Sequence, residues 1–368
     1  MYFALEPKCR RKDLFDFENE LKRLEDGVKF GRIILITAPR RFGKTSLLKT
    51  FLNECSLPFI FIDARRVIAS EGIVNMRGFM IEFTNALNDF LNRYRGVIGK
   101  FINSIKGLDG VEVTASFIRL SWKKKNRANI ALILDNLNKW ASENNLKVIL
   151  AFDELQEFRV LPINFPSLLA YIYDNLLNIV VILTGSQAGL LYDLLKVDNP
   201  KSPLYGRVLY EVKLRRLSNE EAITFLREGF RQLSYKVNEN LIVEAVNKLD
   251  GILGWLTFFG WSVAYGGETS LDRILEHAAR QAIEELKSFL KKSRAENRYR
   301  IILRTIAVKP STWSIIKKSL EAEEGIEIDD KNFTNLLNNL LKLNFIEKQN
   351  NLYVIGDPVL RHGILLYL

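Results

Sequence analysis

The apolar residues in the first 215 positions form short runs that are separated by stretches with helical spacing. Runs of about four to eight residues, rich in β-branched and aromatic side chains, are typical of buried strands. Such runs occupy residues 31–37, 57–63, 146–153, 178–184 and 208–214. Helical spacing predicts helices near residues 43–53, 76–95 and 128–142. This alternation predicts an α/β fold with a parallel sheet and helices on both of its faces.

One segment breaks this alternation between the second and third strands. Residues 111–122, VEVTASFIRLSW, alternate between apolar and polar positions with the period of a β-strand. The following residues, in SWKKKNR, are polar and basic. The sequence therefore predicts a β-hairpin that is inserted between core elements.

The pattern becomes helical beyond residue 215. Ser218 and Glu221 have the spacing of a capping box, which predicts the start of a helix. Further helices are predicted over residues 239–249, 253–265 and 270–292. The polar and basic run KSFLKKSRAENRYR is predicted to be a linker.

The C-terminal segment has the order of a winged helix-turn-helix. From about residue 298, three short helices are followed by a hairpin in NFIEKQNNLYVIG, where Asn350 and Asn351 suit a tight turn. We therefore expect an N-terminal domain, a helical domain and a winged-helix domain over residues 1–215, 216–292 and 298–368.

Composition and charge narrow the classes of protein. Hydrophobic residues make up 48% and charged residues 26% of the 368 positions, as in an ordinary globular protein. The net charge of +10 suits nucleic acid or an anionic surface as a partner, or lysine-rich faces that are merely solvated. Cys9 and Cys55 belong to no Cys/His cluster, so we expect neither a zinc site nor a disulfide framework. These features, with no signal peptide expected, favour the cytoplasm.

One uncharged stretch tests whether the chain enters a membrane. Residues 251–267 carry no charge, but 17 residues with five glycines are short for a spanning helix. We therefore expect a buried helix and no membrane partner.

A phosphate-binding loop is the first chemical motif. The stretch TAPRRFGKTSLL follows the first predicted strand and matches G-x-x-x-x-G-K-[ST], except that Ala38 replaces the first glycine. The N–H groups at a helix N-terminus attract phosphate, and Lys44 is expected to reach the β- and γ-phosphates while Thr45 binds Mg²⁺. The nucleotide-binding candidates are Ala38, Pro39, Arg40, Arg41, Phe42, Gly43, Lys44, Thr45 and Ser46.

An acidic pair supplies the second motif. Asp153 and Glu154 end the apolar run of LKVILAFDELQEF, and buried carboxylates are costly unless they have partners. Beside a phosphate-binding loop, Asp153 is expected to hold Mg²⁺ in its outer shell and Glu154 to polarise the attacking water. The alternative is a pair that only complements a helix dipole. The order of the two motifs predicts a nucleotide site with Glu154 and Lys44 as its catalytic residues.

Three further polar residues are candidates for sensing the γ-phosphate. Thr184 and Ser186, in VILTGSQ, follow the neighbouring strand, where an ordinary strand-end role is the alternative. Arg207, in SPLYGR, precedes the last strand and is a candidate for contacting phosphate in its own chain or in a neighbouring subunit. A structural ion pair is the alternative for this arginine.

Together these segments resemble the archaeal ATPase family of AAA+-like, STAND-related P-loop proteins. The residues that carry the resemblance are TAPRRFGKTSLL, VILAFDEL, ILTGSQ, SPLYGR and the C-terminal YVIGDPVLRHGIL. The resemblance covers nearly the whole chain. It implies a P-loop ATPase domain with sheet order 5-1-4-3-2, a helical lid and a C-terminal winged-helix domain, with ATP or ADP and Mg²⁺ as ligands.

Two motifs of that family are altered in this chain. The N-terminal motif, which lies near the adenine in relatives, reads LFDFENELKRL without its Gly-Arg pair and leaves Leu14 and Phe15 as adenine candidates. The lid motif reads GILGWL without its usual proline, and Gly254 and Trp255 are its candidates for contacting nucleotide.

Three functions stay open from the sequence. The leading one is a switch that binds ATP and hydrolyses it with Mg²⁺, with the nucleotide state coupled to the lid and the winged-helix domain. The others are a nucleotide-sensing binder with negligible turnover and a DNA-directed ATPase. The third helix of the predicted winged-helix domain has two lysines and no arginine, and the acidic run EAEEGIEIDD precedes it, which favours protein contact over DNA. The client and the oligomeric state are not predicted.

Overall fold

A five-stranded parallel sheet lies at the centre of the N-terminal part of the chain. The computed structural model describes residues 1–114, 117–123, 125 and 127–368. The strands are β1 (Ile33–Thr37), β2 (Phe59–Asp63), β3 (Val111–Val113), β4 (Ile118–Leu120), β5 (Val148–Asp153), β6 (Ile179–Gly185), β7 (Tyr210–Lys213), β8 (Glu347–Gln349) and β9 (Leu352–Val354). The sheet order is β2-β5-β6-β1-β7, with every neighbouring pair parallel. Counted along the chain from the β7 edge, this is the order 5-1-4-3-2, which confirms the expected core.

Helices cover both faces of this sheet and continue beyond it. They are α1 (Glu18–Phe30), α2 (Lys44–Glu54), α3 (Ala64–Glu71), α4 (Met76–Arg93), α5 (Gly99–Ile105), α6 (Ile130–Glu143), α7 (Phe165–Asn175), α8 (Ala188–Leu195), α9 (Asn219–Gln232), α10 (Glu239–Leu249), α11 (Leu253–Ala264), α12 (Leu271–Lys291), α13 (Glu296–Val308), α14 (Trp313–Glu324), α15 (Asp330–Lys342) and α16 (Pro358–Tyr367). Along β1, Ile34 and Ile36 enter the core beneath α1 and α2, whereas Ile33 and Leu35 enter the core beneath α4 and α6. Alternate side chains are therefore buried on opposite faces, as a parallel sheet requires.

The predicted hairpin between the second and third core strands is present. Strands β3 and β4 pair antiparallel, with Val111 opposite Leu120. The side chain of Asn88 in α4 donates to the carbonyl of Ile118 at 2.8 Å and accepts from its N–H at 2.7 Å, which fastens the hairpin to the core. Residues 115 and 116 of this prediction, and residues 124 and 126 of the basic run that follows it, lie outside the described residues.

The predicted linker KSFLKKSRAENRYR is wrong. Helix α12 continues to Lys291 and α13 begins at Glu296, so most of this run is helical. Leu290 and Tyr299 are buried, and the ring of Phe289 lies 5.1 Å from that of Tyr299. The charged residues form only the solvent faces of two amphipathic helices, and their density in the sequence concealed the apolar positions between them.

The C-terminal segment has the predicted winged-helix elements. Three helices, α13 to α15, are followed by the antiparallel pair β8 and β9. The turn residues Asn350 and Asn351 have φ of 47° and 66°, the left-handed conformation that a tight two-residue hairpin turn needs. The final helix α16 packs on α12, where a Cβ on Gly363 would lie 2.9 Å from the carbonyl oxygen of Ala279.

The uncharged stretch at residues 251–267 contains α11, whose Trp255, Leu256 and Phe259 are buried among the other helices. Among the helices of residues 1–114, 117–123, 125 and 127–368, none is both long enough and apolar enough to cross a membrane.

Candidate nucleotide-binding site

The phosphate-binding loop joins the carboxyl end of β1 to the first residue of α2. Gly43 has φ of 87°, and a Cβ at this position would lie 3.0 Å from the ring of Phe17. Lys44 folds back over the loop, where its Nζ donates to the carbonyl oxygens of Ala38 and Pro39 at 2.8 Å each. The N–H groups of the first turn of α2 and the Lys44 ammonium therefore face the same space, which is the arrangement that binds phosphate.

Ala38 does not strain the loop. The described loop residues with positive φ are Arg41, at 70°, and Gly43. Ala38 is nearly buried and lies outside the left-handed region, so a methyl group at this position has no conformational cost of the kind that glycine relieves. The missing first glycine of the motif is thus explained by local backbone geometry.

Asp153 ends β5 beside the loop and is fully buried. Its Oδ2 accepts a hydrogen bond from Thr45 Oγ1 at 3.0 Å, and its Oδ1 accepts one from Thr184 Oγ1 at 2.5 Å. A hydroxyl and a carboxylate that meet next to a phosphate-binding loop are the hard oxygen donors that Mg²⁺ prefers. The residues present therefore fit the magnesium ion that the family implies.

Glu154 lies beside Asp153 in a strained conformation. Its φ is 58°, and its N–H donates to Thr184 Oγ1 at 3.0 Å. Its Oε2 accepts hydrogen bonds from Ser186 Oγ at 2.6 Å, from Ser186 N–H at 3.1 Å and from Gln156 Nε2 at 2.5 Å. A left-handed backbone at a non-glycine residue is costly and is retained where the surrounding contacts fix it, often at functional sites. Both predicted sensors, Thr184 and Ser186, thus contact the acidic pair.

The charges in this cleft shift one another's titration. Burial lowers the pKa of Lys44 to about 8, although Glu154 and Asp153 oppose this shift. Burial raises the pKa of Asp153, and the charge of Arg65 and the hydrogen bond from Thr184 oppose this only in part. Burial alone would also raise the pKa of Glu154, but the charge of Lys44 and the hydrogen bonds from Ser186 and Gln156 together hold it below its ordinary value. Glu154 is therefore ionised at neutral pH.

Two residues that the sequence reasoning missed complete this end of the sheet. Asp63 ends β2 and lies directly opposite Asp153 in the parallel register. Arg65 lies two residues further on. Its Nε donates to Asp63 Oδ1 at 3.1 Å and its Nη2 to Thr45 Oγ1 at 3.3 Å. Its guanidinium also forms an ion pair with Asp153. The sequence did contain a signal for Asp63, because the apolar run LPFIFID ends in an aspartate just as LKVILAFD ends in Asp153.

The helical segment contacts the loop directly. Gly254 N–H donates to the carbonyl oxygen of Arg41 at 2.8 Å, and the guanidinium of Arg41 lies 4.1 Å from the ring centre of Trp255. Arg40 and Arg41 both form ion pairs with Glu285 of α12, the latter at 3.0 Å. The two loop arginines therefore connect the loop to α11 and α12.

A second cleft adjoins the phosphate cleft on the side of the N-terminal segment. The phosphate cleft has a volume of about 540 Å³ and the second cleft about 300 Å³, and both are lined by Arg41, Gly43 and Ser46. The four adenine and lid candidates, Leu14, Phe15, Gly254 and Trp255, all line the second cleft. Clefts of this combined size accommodate a nucleotide. Sequence reasoning missed the contribution of residue 2 and residues 4–8, which also line this cleft.

A profile of ATPase domains found predominantly in Archaea matches residues 14–257. The chain belongs to this archaeal ATPase family. A second profile, for the C-terminal winged helix-turn-helix domain of MCM proteins, matches residues 293–355. No functionally curated protein matches the chain.

Two solved structures place this chain among known folds. It is similar to the Walker-type ATPase Paby2304 of Pyrococcus abyssi, with 36% identity, 99% of each chain covered and a TM-score of 0.83. It is also similar to the ORC2 protein of Aeropyrum pernix, solved in ADPNP-ADP complexes. That alignment has 15% identity, covers 98% of this chain and 95% of the other, and gives a TM-score of 0.59. At this identity the second likeness shows the fold alone.

Arg207 is the one predicted site residue that the fold keeps away from the cleft. It precedes β7, whose first residue Tyr210 pairs with Ile34 at the amino end of the sheet, whereas the phosphate-binding loop follows the carboxyl end of β1. Its guanidinium forms an ion pair with Asp174 at 2.5 Å. The structure thus shows the ion pair that was the alternative, and contact with a neighbouring subunit stays a prediction.

Proposed function

We propose that this archaeal ATPase binds ATP with Mg²⁺, hydrolyses it and passes its nucleotide state to the helical lid and the winged-helix domain. One observation carries the proposal. Glu154, with its ionised carboxylate, Lys44 and Thr45 line one cleft at the carboxyl end of the sheet, and the buried Asp153 accepts a hydrogen bond from Thr45 beneath it. This is the position in which open α/β sheets bind their ligands.

Each residue of the cleft has a role in this proposal. The N–H groups of the loop and Lys44 bind the phosphates, and Lys44 exchanges the carbonyl oxygens of Ala38 and Pro39 for phosphate oxygens. Thr45 and Asp153 would hold Mg²⁺, which when bound would neutralise charge on the phosphates. Glu154 accepts a hydrogen bond from the attacking water and orients it towards the γ-phosphate.

The contacts around Glu154 support its role as the residue that orients water. Ser186 and Gln156 donate three hydrogen bonds to its Oε2, so this oxygen is fixed in place. Because the charge of Lys44 and these donors together hold the pKa of Glu154 below its ordinary value despite burial, the carboxylate accepts rather than donates at neutral pH. A group that is held in advance of the reaction needs no costly reorientation in the transition state.

Two chains of contacts support the coupling to the C-terminal domain. In the first chain, Arg41 of the loop stacks on Trp255, and Nε1 of Trp255 donates to both carboxylate oxygens of Asp357 at 3.0 Å. Asp357 in turn caps α16, because it accepts a hydrogen bond from the N–H of Val359 at 2.9 Å. In the second chain, Asn344 donates to the carbonyl oxygen of Ser186 at 2.8 Å. A ligand that moves Arg41 or Ser186 therefore acts on residues that contact the winged-helix domain.

The substitution Glu154→Gln tests the hydrolysis step. It keeps the shape of the side chain but removes its charge, so we expect ATP binding to persist while steady-state turnover falls by about 100-fold or more, the usual contribution of a general base. Glu143→Gln, which removes a carboxylate from the far end of α6, is the matched control and is expected to leave turnover unchanged. Equal turnover in the wild type and Glu154→Gln would contradict the catalytic assignment.

Tight binding of ADP and ATP by the wild type without turnover at any Mg²⁺ concentration would instead identify a nucleotide-sensing binder.

A DNA-directed ATPase has less support from the contacts of α15. Of its two lysines, Lys342 forms an ion pair with Asp193 at 2.8 Å, so it is engaged within the chain. Lys331 is exposed, but Asp329 and Asp330 flank it at the start of the helix. Phosphate contacts need several cations that are free to bind, and α15 has few. Salt-sensitive duplex binding that is lost on removing residues 298–368 would reverse this preference.

A further inference from the structure

Arg65 is a charged residue of the cleft that has no part in the proposed reaction. Its guanidinium contacts three groups: the carboxylate of Asp63, the hydroxyl of Thr45 and the carboxylate of Asp153. The last two belong to the residues that fit Mg²⁺. The Nη2 atom of Arg65 donates to both the Thr45 hydroxyl and the Asp153 carboxylate, so the guanidinium contacts both groups at once.

A guanidinium in this position and a divalent cation exclude each other. Both are positive, and Nη2 of Arg65 donates to Asp153 Oδ2 and Thr45 Oγ1, the two groups that would hold the metal. Asp153 is fully buried, so the charge that faces its carboxylate is poorly screened by solvent. Binding of Mg²⁺ at these oxygens therefore requires the contacts of Arg65 with them to break.

Arg65 also has a carboxylate partner that lies outside the proposed metal ligands. Its Nε and Nη2 donate to the two oxygens of Asp63 at 3.1 and 3.2 Å, and the N–H of Arg65 donates to Asp63 Oδ1 at 3.0 Å. The side chain is about half-exposed, at 48% of its full accessibility, and it lines the 540 Å³ phosphate cleft. It can therefore leave Asp153 without losing its ion pair with Asp63 or burying its charge.

We propose that Arg65 is an internal competitor of Mg²⁺: its guanidinium holds Asp153 and Thr45 together and has to move away before the metal binds with nucleotide. This inference rests on the proposed nucleotide site and deepens it, because it assigns a residue that sets how strongly nucleotide binding depends on the metal. Arg65 is a positioning residue. The apparent affinity for Mg²⁺ is then the intrinsic affinity multiplied by the fraction of molecules in which Arg65 leaves the metal ligands free.

The neighbouring arginine provides a matched control. Arg66 lies on the same helix, forms an ion pair with Glu82 at 3.4 Å and, unlike Arg65, does not line the phosphate cleft. Arg65→Gln and Arg66→Gln therefore remove the same charge from adjacent positions. A general electrostatic effect on nucleotide affects both variants, whereas competition for the metal ligands affects Arg65→Gln alone.

The experiment measures the Kd of a fluorescent ADP analogue for the full-length chain in EDTA and in Mg²⁺. The ratio of the two Kd values reports how much the metal strengthens binding. We expect this ratio to rise about tenfold in Arg65→Gln, as when a competitor that holds the site about nine-tenths of the time is removed. We expect it to stay at the wild-type value in Arg66→Gln, and the Kd in EDTA to stay similar in all variants.

Several results would overturn the inference. One is a ratio in Arg65→Gln equal to that in Arg66→Gln, which would make Arg65 purely structural. Another is weaker binding by Arg65→Gln in EDTA, which would mean that the guanidinium binds phosphate.

If circular dichroism shows that Arg65→Gln does not fold, Arg65→Lys repeats the test. A lysine lacks the branched head that spans both carboxylates, so the ratio should rise roughly threefold, and an unchanged ratio refutes the inference. A wild-type chain that binds no nucleotide in either condition would refute the proposed function itself.

Discussion

The pKa of Lys44 leads to a prediction about how nucleotide binding depends on pH. Burial lowers this pKa from 10.5 to about 8, so above pH 8 the ammonium becomes neutral while the protein is free. Phosphate oxygens beside Lys44 favour its charged form and restore a high pKa in the complex. Binding above pH 8 therefore takes up a proton, and affinity falls as the pH rises.

The size of this effect follows from the titration of a single group. With a pKa of about 8, about 91% of the lysine is charged at pH 7 and about 9% at pH 9. The Kd for ADP should consequently rise about tenfold between these two pH values, which corresponds to about 1.4 kcal/mol. The phosphates of ADP contribute little to this change, because a terminal phosphate with a pKa of about 6 is already ionised across this range.

Two measurements test this prediction. The first is a titration with a fluorescent ADP analogue at pH 7, 8 and 9 in EDTA, so that metal ligands do not contribute. The second is calorimetry in two buffers with different ionisation enthalpies, which measures proton uptake directly. Lys44→Arg is the control, because a guanidinium keeps its charge throughout this range and should give a flat Kd, whatever its absolute affinity. A Kd for the wild type that is constant from pH 7 to 9, without proton uptake, would refute the reasoning.

Two further predictions concern packing around the cleft. Phe3 is fully buried against Gly229 and Gly260, so Phe3→Ala should lower the free energy of unfolding by about 3–5 kcal/mol in urea titrations. The control is Phe30→Ala, at a residue that is 83% exposed, which should change the free energy of unfolding by less than about 0.5 kcal/mol. An equal effect of the two substitutions would contradict the packing of the N-terminal segment. In Gly254→Ala, the new Cβ would lie 2.7 Å from Cβ and 2.9 Å from the carbonyl oxygen of Arg41, so it should cost about 1–3 kcal/mol and weaken binding of the ADP analogue. Gly99→Ala, where nothing lies within 4 Å, should leave affinity for the analogue unchanged, and an equal loss in both variants would count against this contact.

Motifs made of neighbouring residues were predictable from the sequence. The phosphate-binding loop, the capping box of Ser218 and Glu221 and the turn at Asn350 and Asn351 are each encoded within a few positions. Strands β1, β2, β5 and β7 begin two residues later than the apolar runs indicated, because pairing with a neighbouring strand, rather than hydrophobicity, decides where a strand starts.

Where one local pattern had two interpretations, the linker prediction was wrong and the role of Arg207 stayed open. The charged run around residues 287–300 suits a linker or the exposed faces of two helices, and only the burial of Leu290 and Tyr299 decides between them. Arg207 stands next to a strand, as the acidic pair does, but it precedes its strand, and the amino ends of parallel strands lie at the edge of the sheet opposite the loop. Its position before the strand was a signal that the sequence did contain.

The sequence by itself determined the parallel α/β core, the phosphate-binding loop and the acidic pair, because hydrophobic period and motif spacing are local properties of the chain. Only the tertiary structure placed Arg65 on Asp153, Glu285 on the loop arginines and Asn344 on Ser186. These partners lie tens to hundreds of positions apart. Their meeting depends on the order of the strands and on how the lid and the winged-helix segment pack against the sheet, which no short stretch of sequence encodes.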